Sequence, residues 1–149
     1  MGMFTRSIEA PPFGQLTTEG QSKVWEGEID LPHLGEGFSL RIHGLKTGPT
    51  PAQITAFTHA LQTTQTIKDQ ATPALIEFLD ECDVVPSDVI LTATTLWDFL
   101  EPCFLEVHPD DYLDVEQSAC SIGYEIAWEQ SQLIHIDLIN GKFDEIHAE

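Results

Sequence analysis

The chain has 149 residues, 42% of them hydrophobic, and sets 25 Asp and Glu against 6 Lys and Arg, a formal charge of −19 at pH 7. An ordinary apolar fraction excludes wholesale disorder, and this length can bury a core as a single domain spanning 1–149. The charge excludes nucleic acid as a ligand, because phosphate binding needs Lys and Arg to displace counterions, and the lack of any run of about 18 apolar residues excludes a membrane-spanning helix.

Residues 1–11 carry little pattern. A short strand is predicted over Phe13 to Thr17, then a loop from Thr18 to Ser22. Val24 to Leu31 alternates, with Trp25, Gly27, Ile29 and Leu31 on one face and Glu26, Glu28 and Asp30 on the other, the pattern of a half-buried strand. Pro32 to Gly37 is a turn, after which Phe38, Leu40 and Ile42 alternate with Ser39, Arg41 and His43. Arg41 and His43 are expected beside the acids of the preceding strand. The period then changes. Thr50 suits an N-cap and Pro51 the first helical position, and Ile54, Phe57, Leu61, Ala71, Leu75, Phe78 and Cys82 recur at helical spacings. Pro73 is expected to kink or split this long helix near Asp69 to Thr72, and the helix to end near Asp83. An apolar connection, Val84 to Thr92, leads to a short helix around Leu96 to Leu100, capped by Thr92 or Thr94. Strands follow over Cys103 to His108 and around Ile122 to Trp128, separated by a Pro109-Asp110-Asp111 turn. Glu129 to Gln132 reads as a polar loop. Ile134, Ile136 and Leu138 alternate with His135 and Asp137, and Asn140-Gly141 is a strong hairpin signal before a last strand, Lys142 to His147.

This order predicts an α+β domain. A mainly antiparallel sheet from the N-terminal and C-terminal strands would carry a long central helix, kinked or split, and a short second helix on one face. The segment Met1 to Arg6 lacks the apolar core of a signal peptide, and Arg6 stands where a myristoylation signal wants Ser or Thr. Cys82, Cys103 and Cys120 are odd in number, with no Cys-x-x-Cys, as expected of thiols in a reducing cytoplasm.

Phe13-Gly14, Trp25-Glu26-Gly27, Gly123-Tyr124, Trp128-Glu129 and Asn140-Gly141 together resemble the pattern of a family of small bacterial domains of unknown function. Members begin Phe-Gly and Trp-x-Gly, carry a central helix, and end in a Gly-aromatic strand, a Trp-acid pair and an Asn-Gly hairpin. Many also place an acid and a His-Gly after the tryptophan, where this chain has Gln130, Ser131, Gln132 and Leu133. The resemblance implies kinship with domains found beside polymorphic and contact-dependent toxins, where small acidic proteins act as immunity partners.

The charge is unevenly spread. Ile76 to Glu149 holds 18 acids against one base, Lys142, whereas Met1 to Leu75 holds 7 acids and 5 bases. Glu77, Asp80, Glu81 and Asp83 gather at a helix end, where acids oppose the helix dipole, and Asp110, Asp111, Asp114 and Glu116 gather in a loop. A solvated acidic surface explains most such runs; the alternative is a basic protein partner, drawn by opposite fields at rates up to about 10⁸ M⁻¹s⁻¹. Glu77, Asp80, Glu81, Asp110, Asp111, Asp114 and Glu116 are the expected contacts. His135 and Asp137 point the same way on one strand, and His108 with Asp110 or Asp111 offers further ligands, yet no spacing matches a known metal loop and the pair reads as solvent-facing. No metal and no cofactor is therefore assigned. No nucleophile elbow, phosphate loop or dinucleotide fingerprint is present, and Cys103 or Cys120 with a histidine is too scattered to indicate a thiol enzyme. Trp25, Trp97 and Trp128 lie on apolar faces and read as core. The expectation is a cytoplasmic, non-catalytic acidic binding protein, an immunity protein covering a basic toxin domain. The alternatives are a structural or regulatory module of open oligomeric state and a metal-dependent hydrolase using His108, His135 and nearby acids.

Overall fold

A computed structural model describes residues 4–112 and 117–148. The strands are β1 (Thr5–Glu9), β2 (Gln15–Glu19), β3 (Val24–Leu31), β4 (Gly35–His43), β5 (Leu100–Val107), β6 (Ala119–Ile126), β7 (Glu129–Ile139) and β8 (Lys142–Ala148). They form one eight-stranded sheet in chain order. Every neighbouring pair is antiparallel except β4 and β5, which run parallel with Leu40 beside Leu105 and Ile42 beside Val107. A parallel pair cannot be closed by a hairpin and needs a crossover. Here the crossover holds α1 (Pro51–Gln62), α2 (Thr64–Glu81) and a 3-10 turn over Leu96–Phe99.

The expected α+β layout with a long central helix is corrected by this architecture. The sheet dominates, the helical stretch is two helices of 12 and 18 residues, and the short second helix is only a four-residue 3-10 turn. The break falls at Thr63, not at Pro73. Thr63 leaves helical geometry at φ −126° and its hydroxyl donates to the His59 carbonyl. Pro73 sits inside α2 on the exposed side, while Ile67, Ala71, Leu75 and Leu79 are buried on both sides of it. Packing of that stripe holds the helix together across the missing N–H, overriding the local preference.

The entry to α1 follows the sequence closely. The Thr50 hydroxyl accepts the Gln53 N–H, and the Gln53 side chain accepts the Thr50 N–H, a reciprocal capping box ahead of Pro51. At the N-terminus, β1 has no apolar alternation because Arg6 fills an inward position. Its guanidinium donates to the carbonyls of Gly20, Ser22 and Lys46 and lies 5.2 Å from the centre of the Trp25 ring. The polar stretch expected as a loop at Glu129 to Gln132 belongs to β7, with only Ala127 and Trp128 between it and β6.

One face of the sheet is the core. Trp25, Phe38, Leu40, Ile42, Leu105, Ile122, Tyr124 and Ile136 are buried there, with Phe57, Ile67, Leu75 and Leu79 of the helices in the same cluster. Buried Tyr124 donates its hydroxyl to the Leu34 carbonyl at 2.8 Å, and desolvation pushes its ionisation well up. Trp25 is fully buried, whereas Trp97 and Trp128 are half-buried against the cluster. Among the described residues no helix is long and apolar enough to cross a membrane.

Candidate functional site

Alternation along the strands turns the other residues to the opposite face. Register then lines up Arg41, Glu106, Ser121, Asp137 and Glu145 across five strands, from β4 to β8. A second row, one step along, holds Phe104, Gly123, His135 and His147. Both rows carry chemistry that the core face lacks.

Hydrogen bonds run along the first row. Ser121 Oγ donates to Asp137 Oδ1 at 2.8 Å, which uses its single proton. His108 Nε2, 3.0 Å from Ser121 Oγ, must therefore be the donor to that hydroxyl, so His108 carries its proton on Nε2. Burial lowers the His108 pKa and keeps the ring neutral, with His43 and His135 adding to the effect and Glu106 and Asp137 opposing it. His147 Nδ1 lies 2.6 Å from Asp137 Oδ2, so both carboxylate oxygens are held. At the other end, His43 Nε2 meets Glu106 Oε2 at 2.7 Å.

The second row explains how His135 is housed. A Cβ at Gly123 would overlap the Phe104 ring, so glycine is what lets that ring lie across β6. Phe104 then meets His135 edge-on at 5.2 Å, and His135 stacks on His147 at 4.3 Å. His135 is only 5% exposed. The solvent-facing pair expected of His135 and Asp137 is thus corrected: one is buried and the other half-buried. One donor atom each from His135, Asp137 and His147 lies within 4.8 Å of the other two.

The acids expected to bind a partner are placed as follows. Glu77, Asp80 and Glu81 are exposed on the last turns of α2, which has no base there. Asp110 is half-buried and accepts the Thr50 hydroxyl at 2.9 Å, making it part of the α1 cap. Asp111 is exposed and, with Asp110, Lys23 and His43, lines a cleft of about 430 Å³. Asp114 and Glu116 lie outside the described residues. Among the described residues no hydrogen bond or ion pair joins the α2 acids to Asp110 or Asp111. Arg41 stands opposite Glu26 in register but makes no ion pair within 4 Å among the described residues, and His43 pairs with β5 instead of β3.

Cys103 and Cys120 are poor nucleophiles. Burial, with Asp137 adding, pushes Cys120 up to about 12, and burial with Glu125 and Glu101 raises Cys103. Sequence reasoning missed Ser121, Glu106 and His147. Ser121 and Glu106 were legible only once strand register was known. For His147 the register itself is irregular: Leu138 faces Phe143, but Asp137 faces Glu145, so Asp144 is an extra residue that turns His147 onto the face of His135. Comparison with known protein families, curated proteins and solved structures finds no match to the chain, which leaves its own geometry to carry the functional reading.

Proposed function

We propose that the protein is a non-catalytic acidic binding module that receives the basic surface of another protein, acting in the cytoplasm as an immunity protein that occludes a toxin domain. The observation that carries this is the strand order. Because β1 to β8 stand side by side in chain order, charge segregated in sequence becomes charge segregated in space. Among the described acids after Leu75, Glu77, Asp80 and Glu81 end α2, which packs on β8, Asp83, Asp88 and Asp98 lie between α2 and β5, and the others lie on β5 to β8 or in the loop after β5, with Lys142 on β8. Among the described residues no Lys or Arg forms an ion pair with them. Among the described residues the ion pairs join histidine to carboxylate, while Arg6 is engaged by carbonyls and Lys68 lies over the Trp97 ring. Such a field speeds encounter with an oppositely charged partner and falls away with salt.

The test is stopped-flow association with a basic toxin domain encoded beside this chain. Association is expected to slow steeply between low and high salt. Asp111→Lys and Glu81→Lys, both at exposed sites, are each expected to slow it several-fold with little change in dissociation. Asp110 is unsuited to this test because its carboxylate caps α1 through Thr50. Rates indifferent to salt and to both substitutions would overturn the proposal.

A further inference from the structure

We propose that His135, Asp137 and His147 bind one divalent transition-metal ion of the zinc type on the open face of the sheet. Two imidazoles and one carboxylate are the donor set that zinc and its first-row neighbours favour, whereas calcium and magnesium seek oxygen donors in greater number. The three side chains come from two adjacent strands, and their donor atoms lie within 4.8 Å of one another. Tetrahedral zinc with bonds of about 2.0–2.2 Å wants donors roughly 3.3 Å apart. Small rotations meet that demand, opening the 2.6 Å contact between His147 and Asp137 as the ion replaces the shared proton. His147 is free to make this movement, since its side chain is 40% exposed on the outermost strand.

Support from behind the ligands strengthens the assignment. Asp137 Oδ1 is held by Ser121, which is held in turn by His108, so the carboxylate is oriented by a chain of donors that are not ligands themselves. Such outer partners fix ligand geometry in metal sites and matter to affinity. Phe104, edge-on to His135 at 5.2 Å, walls the site on its apolar side. On its polar side Asp137 borders a cavity of about 180 Å³ whose wall includes Asp144 and Glu145, an anionic path for a cation. Three protein donors leave a fourth position for water or for a group from a partner. This inference is independent of the basic-partner reading, and either can fail alone.

The experiment is calorimetric titration of the full, chelator-stripped chain with zinc, paralleled by cobalt(II) absorption. One equivalent of zinc and a tetrahedral cobalt spectrum are expected. His147→Ala and Asp137→Asn should each weaken zinc binding more than the roughly 10–100-fold typical of outer-partner losses, and Ser121→Ala by about 10-fold. If a variant loses its fold by circular dichroism, ring-nitrogen NMR of the unaltered chain decides: zinc should shift His135 and His147 and leave His33 and His59 in place. No binding, zinc binding indifferent to these substitutions, or equal and equally dependent calcium binding would each overturn the proposal. Diffuse capture by surface carboxylates corresponds to the second of these outcomes.

Discussion

Gln53 does more for the fold than its polarity suggests. It has no exposed surface, yet two of its three side-chain hydrogen bonds tie α1 to the parallel pair β4 and β5, and the third closes the α1 cap. Its oxygen accepts the Thr50 N–H, and its Nε2 donates to the carbonyls of His43 and His108, at the ends of β4 and β5. Gln53→Ala would leave those buried groups unpaired. A loss of about 3 kcal/mol is expected by urea denaturation, since each unsatisfied group costs about 1–3 kcal/mol. Gln53→Glu should be worse at neutral pH, because it turns an acceptor toward two carbonyls. If alanine proves neutral, the crossover is held by other contacts. His108 sets a second expectation at this scale. Glu106, His43, Asp137, His135 and the stacked Tyr112 ring face it, and desolvation dominates, so its folded pKa lies below the ordinary imidazole value. The unfolded chain therefore takes up a proton that the folded chain resists as pH falls below about 6.5. Stability from this group is complete above that pH and is lost on acidification toward the lowered folded value. His108→Gln keeps an N–H for Ser121 and removes the titration. Its stability should fall less steeply with acid than that of the unaltered chain; equal slopes would show that His108 does not contribute.

Among the elements, the legible ones are those whose local pattern and tertiary role agree. Val24 to Leu31 alternates cleanly and forms β3 over those same residues. Asn140 and Gly141 take positive φ of 53° and 80° in the β7–β8 turn, and a Cβ on Gly141 would strike the Ala56 carbonyl of α1, so the turn glycine is also a packing glycine. Illegible elements are those where another demand won. Arg6 hides the alternation of β1 because its guanidinium serves as an inward clasp. Pro73 misplaces the helix break because the buried stripe of α2 overrides it. His147 was hidden by the extra residue in β8, since a regular two-residue hairpin would have set it on the other face. That last feature yields a test. Deleting Asp144 should preserve the pairs of Asp137 with Glu145 and His135 with His147, because Asp144 is the residue with no counterpart on β7. The deletion is expected to melt cooperatively and keep the histidine stack; a flipped register would instead bring Glu145 into the core and abolish folding. At the end of α2, Glu81→Lys removes an acid from a turn where the dipole disfavours it and is expected to stabilise the fold by about 0.3–1 kcal/mol.

For the molecule as a whole, the proposed recognition of a basic partner would make the same carboxylates act on two equilibria with opposite sign. A formal charge of −19, with no Lys or Arg ion pair among the described residues, pushes the compact state apart. Unfolding spreads those charges out and relieves the repulsion. Added sodium chloride shortens the screening length to about 10 Å at 0.1 M. It should therefore raise the melting temperature while weakening attachment to the proposed basic partner. The comparison is best made below about 0.3 M, where screening changes most and ion-specific effects on apolar burial are small. Glu81→Lys should follow the same logic, raising the melting temperature while slowing association. Parallel salt trends in melting and binding would mean that internal attractions outweigh self-repulsion, and the acidic half-sheet would then be a product of folding stability and not of recognition. Opposed trends are expected, because carboxylates without internal partners remain available to an external one.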